Sequence, residues 1–139
     1  MLAILILSFT YINAMMNEPK TIPSHGEIKT INVDVFQDQD LTTALTSIYW
    51  GKLEPSEVAN HTCYIYNRGN TPVTLTFVID NWNPLEAEQF LDFSTDYSGV
   101  VIQPKTSLEI SLSLTVNPLI EDIDSFSFDI TIIGIEEVS

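Results

Sequence analysis

An all-β fold, antiparallel sheets packed face to face, is what this sequence predicts, and three stretches carry the prediction. Leu108, Ile110, Leu112, Leu114 and Val116 alternate with Glu109, Ser111, Ser113 and Thr115 in the longest regular pattern of the chain. Val73, Leu75, Phe77 and Ile79 alternate in the same way with Thr74, Thr76 and Val78, and Phe126, Phe128, Ile130 and Ile132 with Ser127, Asp129 and Thr131. Successive side chains of a strand point to opposite faces, so each stretch presents one apolar face that needs cover. Two sheets that cover each other meet the need.

Composition sets the bounds. A chain of 139 residues is the size of one domain, and folding at that length hides roughly two-thirds of the unfolded chain's surface. Hydrophobic residues at 45% and charged residues at only 17% give an ordered core and a polar surface built largely from Thr, Ser and Asn. Five Lys and Arg stand against nineteen Asp and Glu, a formal net charge of −14. That field repels phosphate backbones and anionic headgroups and carries no basic stripe to offset it, so nucleic acid is not an expected partner. Cys63 is the sole cysteine, which leaves no bridge within the chain and reads as a small buried hydrophobe.

Residues 1–16 carry no charge and fall short of the roughly 20 residues a bilayer crossing needs. They fit the apolar region of a signal peptide, with a small-residue cleavage site after Ala14, or a retained membrane anchor; the basic flank of a signal peptide is missing. Residues 17–27, with Pro19, Pro23 and Gly26, read as an extended linker in which His25 is solvated. The sandwich is expected over 28–135. Its first strand is residues 28–36, with Ile31, Val33 and Val35 on one face and Thr30, Asn32 and Asp34 on the other. Asp38 and Asp40 then offer two carboxylates to a Ca²⁺, but the closing Glu and Gly of a calcium loop are absent, and an acidic turn is the plainer assignment.

A short strand in residues 45–53 ends at Gly51, and Trp50 on it is expected to anchor the core. Residues 58–82 read as a β-hairpin. Its turn is Asn67-Arg68-Gly69-Asn70, and Pro72 opens the second strand where an N–H can be spared. In the first strand His61, Cys63 and Ile65 point inward and Asn60, Thr62, Tyr64 and Tyr66 outward. Asn60-His61-Thr62 is thereby an outward glycosylation sequon, and Asn60 the candidate modification site. Asn83 as N-cap, Pro84 at the first helical position and Glu86 as capping-box carboxylate predict about two turns of helix over 84–91. Glu86, Glu88 and Asp92 form its solvated acidic face. Residues 93–102 supply a further strand up to the turn at Gln103-Pro104-Lys105, and residues 136–139 a polar tail.

About seven or eight strands at a spacing of about ten residues, with one short inserted helix, predict an immunoglobulin-like antiparallel β-sandwich. The Cys–Trp–Cys hallmark of antibody domains is absent.

The stretch Tyr64-Ile65-Tyr66-Asn67-Arg68-Gly69-Asn70-Thr71-Pro72-Val73-Thr74-Leu75 resembles the N-x-G-N hairpin of CARDB-type and related immunoglobulin-like adhesion modules of prokaryotic cell surfaces. Ile48-Tyr49-Trp50-Gly51, Gly26-Glu27-Ile28-Lys29-Thr30, Asn81-Trp82-Asn83-Pro84 and Ser125-Phe126-Ser127-Phe128-Asp129-Ile130 extend the likeness. Over most of residues 26–134 the chain is similar to small archaeal surface proteins that carry one such domain behind an N-terminal hydrophobic segment. The resemblance implies a β-sandwich at the cell surface and no catalytic residue.

The expected function is therefore a non-catalytic extracellular or envelope module with a structural or adhesive role. It would be secreted or held by residues 1–16, would meet a protein or glycan at the cell surface, and would touch membrane only through that segment. The alternative is a filament subunit that self-associates when its segment 17–36 completes a neighbour's sheet. No nucleophile elbow, P-loop, dinucleotide fingerprint or zinc spacing occurs, so no enzyme, cofactor or metal site is expected. A copper site built on His61 and Cys63 lacks further ligands, because the methionines all lie in the N-terminal segment.

Overall fold

The computed structural model describes residues 21–137. The eight strands are β1 (Ile22–Ile31), β2 (Asp34–Phe36), β3 (Ser47–Leu53), β4 (Val58–Tyr66), β5 (Val73–Asn83), β6 (Leu91–Thr95), β7 (Ser107–Val116) and β8 (Phe126–Glu136). They form two four-stranded sheets, ordered β3-β1-β8-β5 and β2-β4-β7-β6. Every pairing is antiparallel except that of β1 with β8, which is parallel. The predicted β-sandwich is present. The alternating stretches supply its interior: Ile110, Leu112, Leu114 and Val116 of β7 face Phe126, Phe128, Ile130 and Ile132 of β8, all buried. Among the described residues no helix is long and apolar enough to cross a membrane. Residues 1–16, the first residues of the linker and the end of the polar tail lie outside the described residues.

The stretch read as a hairpin is not one. β4 belongs to one sheet and β5 to the other, so the Asn67–Pro72 turn carries the chain across the sandwich. Asn67 holds this crossing. Fully buried, it donates from Nδ2 to the carbonyls of Thr71 (2.8 Å) and Ile102 (3.0 Å) and accepts from Gly69 N–H at Oδ1 (2.9 Å). Its own backbone bonds Thr106 and Lys105, which ties the turn to the loop before β7. Val73 then bonds Ile102 instead of β4.

The strand read over 28–36 is two strands in two sheets. Asn32 takes φ 65°, a left-handed conformation that Asn tolerates better than most residues, and its Nδ2 donates to Gly134 O at 3.2 Å. The corner flips the pattern. Val33 and Val35 are buried, whereas Ile31, expected with them, is 49% exposed. Most of the described part of the linker is likewise strand, since β1 begins at Ile22. Its inward positions include Ser24 and Gly26, too small to register as an apolar stripe, and both are buried. Each has its own reason. A Cβ on Gly26 would lie 3.2 Å from Trp50 Nε1, and Ser24 Oγ donates to Gly51 O.

The inserted helix is a single 3₁₀ segment, Leu85–Phe90, capped by Pro84 without a side-chain hydrogen bond. Asn83, the expected N-cap, ends β5 and pairs with Ser127. Burial of Ala87 pins the segment against the core, and the predicted capping box of Asn83 and Glu86 does not form. The strand expected over 93–102 is shorter and earlier, Leu91–Thr95, and only Ile102 of its later part bridges to Val73. Strand β8 runs to Glu136, one residue into the expected tail.

Candidate functional site

The chemistry-bearing side chains fall into separate neighbourhoods. Inside, Cys63 is fully buried. Burial, with a smaller contribution from the Asp96 charge, pushes its thiol up to about 12, so it carries almost no thiolate at neutral pH and is a poor nucleophile. His61, two residues earlier on the same strand, is partly buried. Its ring meets Trp50 edge-on with centroids 6.5 Å apart, and burial holds its pKa below the ordinary histidine value. The inward direction expected for His61, Cys63 and Ile65 holds, and Trp50 is the core anchor the sequence implied.

Around Trp50 the first sheet carries an aromatic row. Trp50 stacks on Phe128 at 6.3 Å and 17°, and Trp82 stacks on the same ring at 4.5 Å and 20°. Gly26 of β1, the register partner of Phe128, supplies the gap over which the rings of β3 and β8 meet. Aromatic pairs of this kind add about 1 kcal/mol each beyond burial. Trp50 Nε1 is buried without a hydrogen-bond partner, so its contribution is packing.

On the outer face of the same sheet, Lys29 Nζ lies 2.9 Å from Asp129 Oδ2, which Asn81 Nδ2 also reaches at 2.7 Å. The Asn81 and Lys29 hydrogen bonds hold the Asp129 carboxyl below the usual carboxylate range, and Asp129 in turn raises Lys29. His25, expected to be a solvated linker histidine, sits on β1 with Nε2 2.9 Å from Glu27 Oε1. Tyr49 of β3 stands 64% exposed and, with His25, borders a shallow hollow of about 280 Å³.

At one end of the sandwich, open hollows of about 400 and 330 Å³ adjoin the 3₁₀ segment. Asp92 borders the first, and Glu86, Glu121 and Asp122 the second. Among the described residues no three His, Cys, Asp or Glu side chains are placed to share a metal ion. The Asp38 carboxylate accepts from the Thr42 and Thr43 N–H groups and the Thr42 hydroxyl, so it closes its own loop.

Asn60, the candidate glycosylation residue, points outward from β4 and is exposed. Its Oδ1 accepts from Ser113 Oγ on the paired strand, which leaves Nδ2, the atom a glycan would join, turned to solvent. Sequence reasoning missed Asn67 and Tyr97. The Tyr97 hydroxyl accepts from Leu75 N–H and donates to Val100 O; a hydroxyl so placed closes part of the β5 edge. What no local signal conveys is the distant partner of each, Ile102 for Asn67 and Leu75 for Tyr97.

Comparison with protein-family models and with curated proteins gave no match.

Proposed function

We propose that this chain is a non-catalytic β-sandwich module of the cell surface or envelope with a structural or adhesive role. The observation that carries this reading is the division of the side chains: Ile, Val, Leu and Phe fill the interior, while the polar groups able to recognise a partner stand on outer faces and loops. Tyr49, Lys29, Asp129 and Asn81 on the first sheet offer hydrogen bonding and an aromatic surface to a protein or glycan at the cell surface. The uncharged residues 1–16 supply the means of export or attachment. Fractionation of the native host with N-terminal sequencing tests the reading. The chain is expected in the envelope or medium, and recovery solely from the cytosol would overturn it. Loss of a glycan-sized mass on Asn60→Gln in the same material would establish the sequon.

A filament subunit joined by donation of segment 17–36 is the competing reading. Residues 22–31 of that segment already fill a place between β3 and β8 of their own chain, which favours a self-contained module.

A further inference from the structure

Strand β5 ends the first sheet and is paired with another strand on one side only, β8. Its odd-numbered backbone groups face away from β8. Val73 N–H and C=O both bond Ile102, and Leu75 N–H is taken by the Tyr97 hydroxyl at 3.0 Å. Beyond them, the N–H and C=O of Phe77 and of Ile79 have no partner among the described residues. Four free groups in alternate register, before the bulge between Asp80 and Asn83, make a short template for another strand.

The other edges are blunted. Strand β2 has three residues and β6 five, with Asp92 within it. Strand β3 is broken by Gly51 at φ 96° and carries Lys52. The first half of β4 lies near β3 through the His61–Trp50 contact. On β5, by contrast, no residue from Val73 to Ile79 is charged, in a chain of net charge −14. Val78, on the outer face, is 40% exposed.

We propose that this edge is a homodimerisation site, β5 of one copy pairing antiparallel with β5 of a second about a two-fold axis at Val78. That register is self-complementary, as a two-fold interface requires. Phe77 of each copy faces Ile79 of the other, and the four free groups of each copy exchange hydrogen bonds with their counterparts. Charge at the edge permits this occupant. Asp80 falls opposite Thr76 of the second copy and not opposite another carboxylate, and the neutral strip lets two acidic molecules approach where neither presents charge. Val78 meets Val78 in a non-hydrogen-bonded pair, in which Cα atoms stand about 4.5 Å apart. The two sheets then run on as one. The site is independent of where the module resides.

Cross-linking of the full chain tests the register. Val78→Cys places two thiols within disulfide reach. Thr76→Cys, on the same outer face, places them about 14 Å apart, four residues along the paired strands. Cys63 is buried in both. Under mild oxidation Val78→Cys is expected to run mostly at twice the monomer mass on a non-reducing gel, with Thr76→Cys at least about tenfold less cross-linked. Val78→Lys, by opposing two ammonium groups, is expected to weaken association of the otherwise unmodified chain at least about tenfold. Equal cross-linking of the two cysteine variants, or no dimer from a Val78→Cys chain that keeps the wild-type circular dichroism, would overturn the proposal. The second result would leave the edge to a strand from a different chain.

Discussion

Asn67 spends its side chain and its backbone on the crossing between sheets, and the alanine variant shows what that is worth. Asn67→Ala strands the carbonyls of Thr71 and Ile102 and the Gly69 N–H. Leaving such groups unsatisfied is expected to lower stability by about 3 kcal/mol, read as a fall in the urea midpoint. An unchanged midpoint would mean that the turn is held by its backbone alone. At Cys63 the expectation concerns reactivity. With its thiol raised by burial, a disulfide reagent should label the native chain far more slowly than the unfolded one. Labelling at the rate of a free cysteine would place the thiol at the surface. His61 contributes a pH dependence of definite sign. Its folded pKa lies below the ordinary 6.5, so the unfolded chain binds the proton more readily. Stability from this group is full above about pH 6.5 and declines as pH falls through the lower folded value. His61→Gln should flatten the slope of urea midpoint against pH below about 6.5; a slope unchanged there would contradict the burial of the ring. The inward direction of Cys63 and His61 was legible from alternation. The role of Asn67 was not, because a Gly- and Asn-rich turn looks the same whether it joins neighbours or opposite sheets.

Among the elements, the long strands β5, β7 and β8 were legible because large apolar side chains repeat along them with period two. Strand β1 was not, for a reason visible in its inward residues. Gly26 stands where Trp50 leaves little room for a Cβ and Ser24 spends its hydroxyl on Gly51 O, so the apolar periodicity vanishes at both inward positions. The bend at Asn32 was hidden for a different reason: an unbroken alternation from Ile31 to Val35 continues through a corner that changes sheets. The 3₁₀ segment misled through good local signals for an α-helix, which propensity suggests and tertiary packing overrides. Gly134 in β8 tests how closely the corner is packed. A Cβ there would fall 2.7 Å from Val33 Cγ1, and a β-branched valine has few rotamers with which to yield. Gly134→Ala is expected to destabilise by about 1–3 kcal/mol in denaturant melts. Thr131→Ala, on the opposite, outward face of the same strand, should do much less. A neutral Gly134→Ala would mean that the β1–β2 corner moves freely.

For the whole molecule, the sandwich class follows from the demand that several one-faced strands be covered at once, and the sequence conveys that demand. Strand order does not follow from it. Pairing of β1 with β8, about a hundred residues apart, leaves no trace in a pattern that describes only which face of each strand is buried. The polar outer surface was legible only as the complement of the core: once the apolar faces are assigned inward, Asn60, Asp129 and Thr131 have to lie outside. What separates a self-contained module from one that lends its first strand to a neighbour is the state of β1 in the free chain. Amide hydrogen exchange measures that state directly. With β1 seated between β3 and β8, the hydrogen-bonded amides of Ile28–Ile31 should be protected to a level approaching those of Ile130 and Ile132 in the centre of β8. Exchange of the β1 amides at the rate of an unstructured peptide, with β8 still protected, would contradict it.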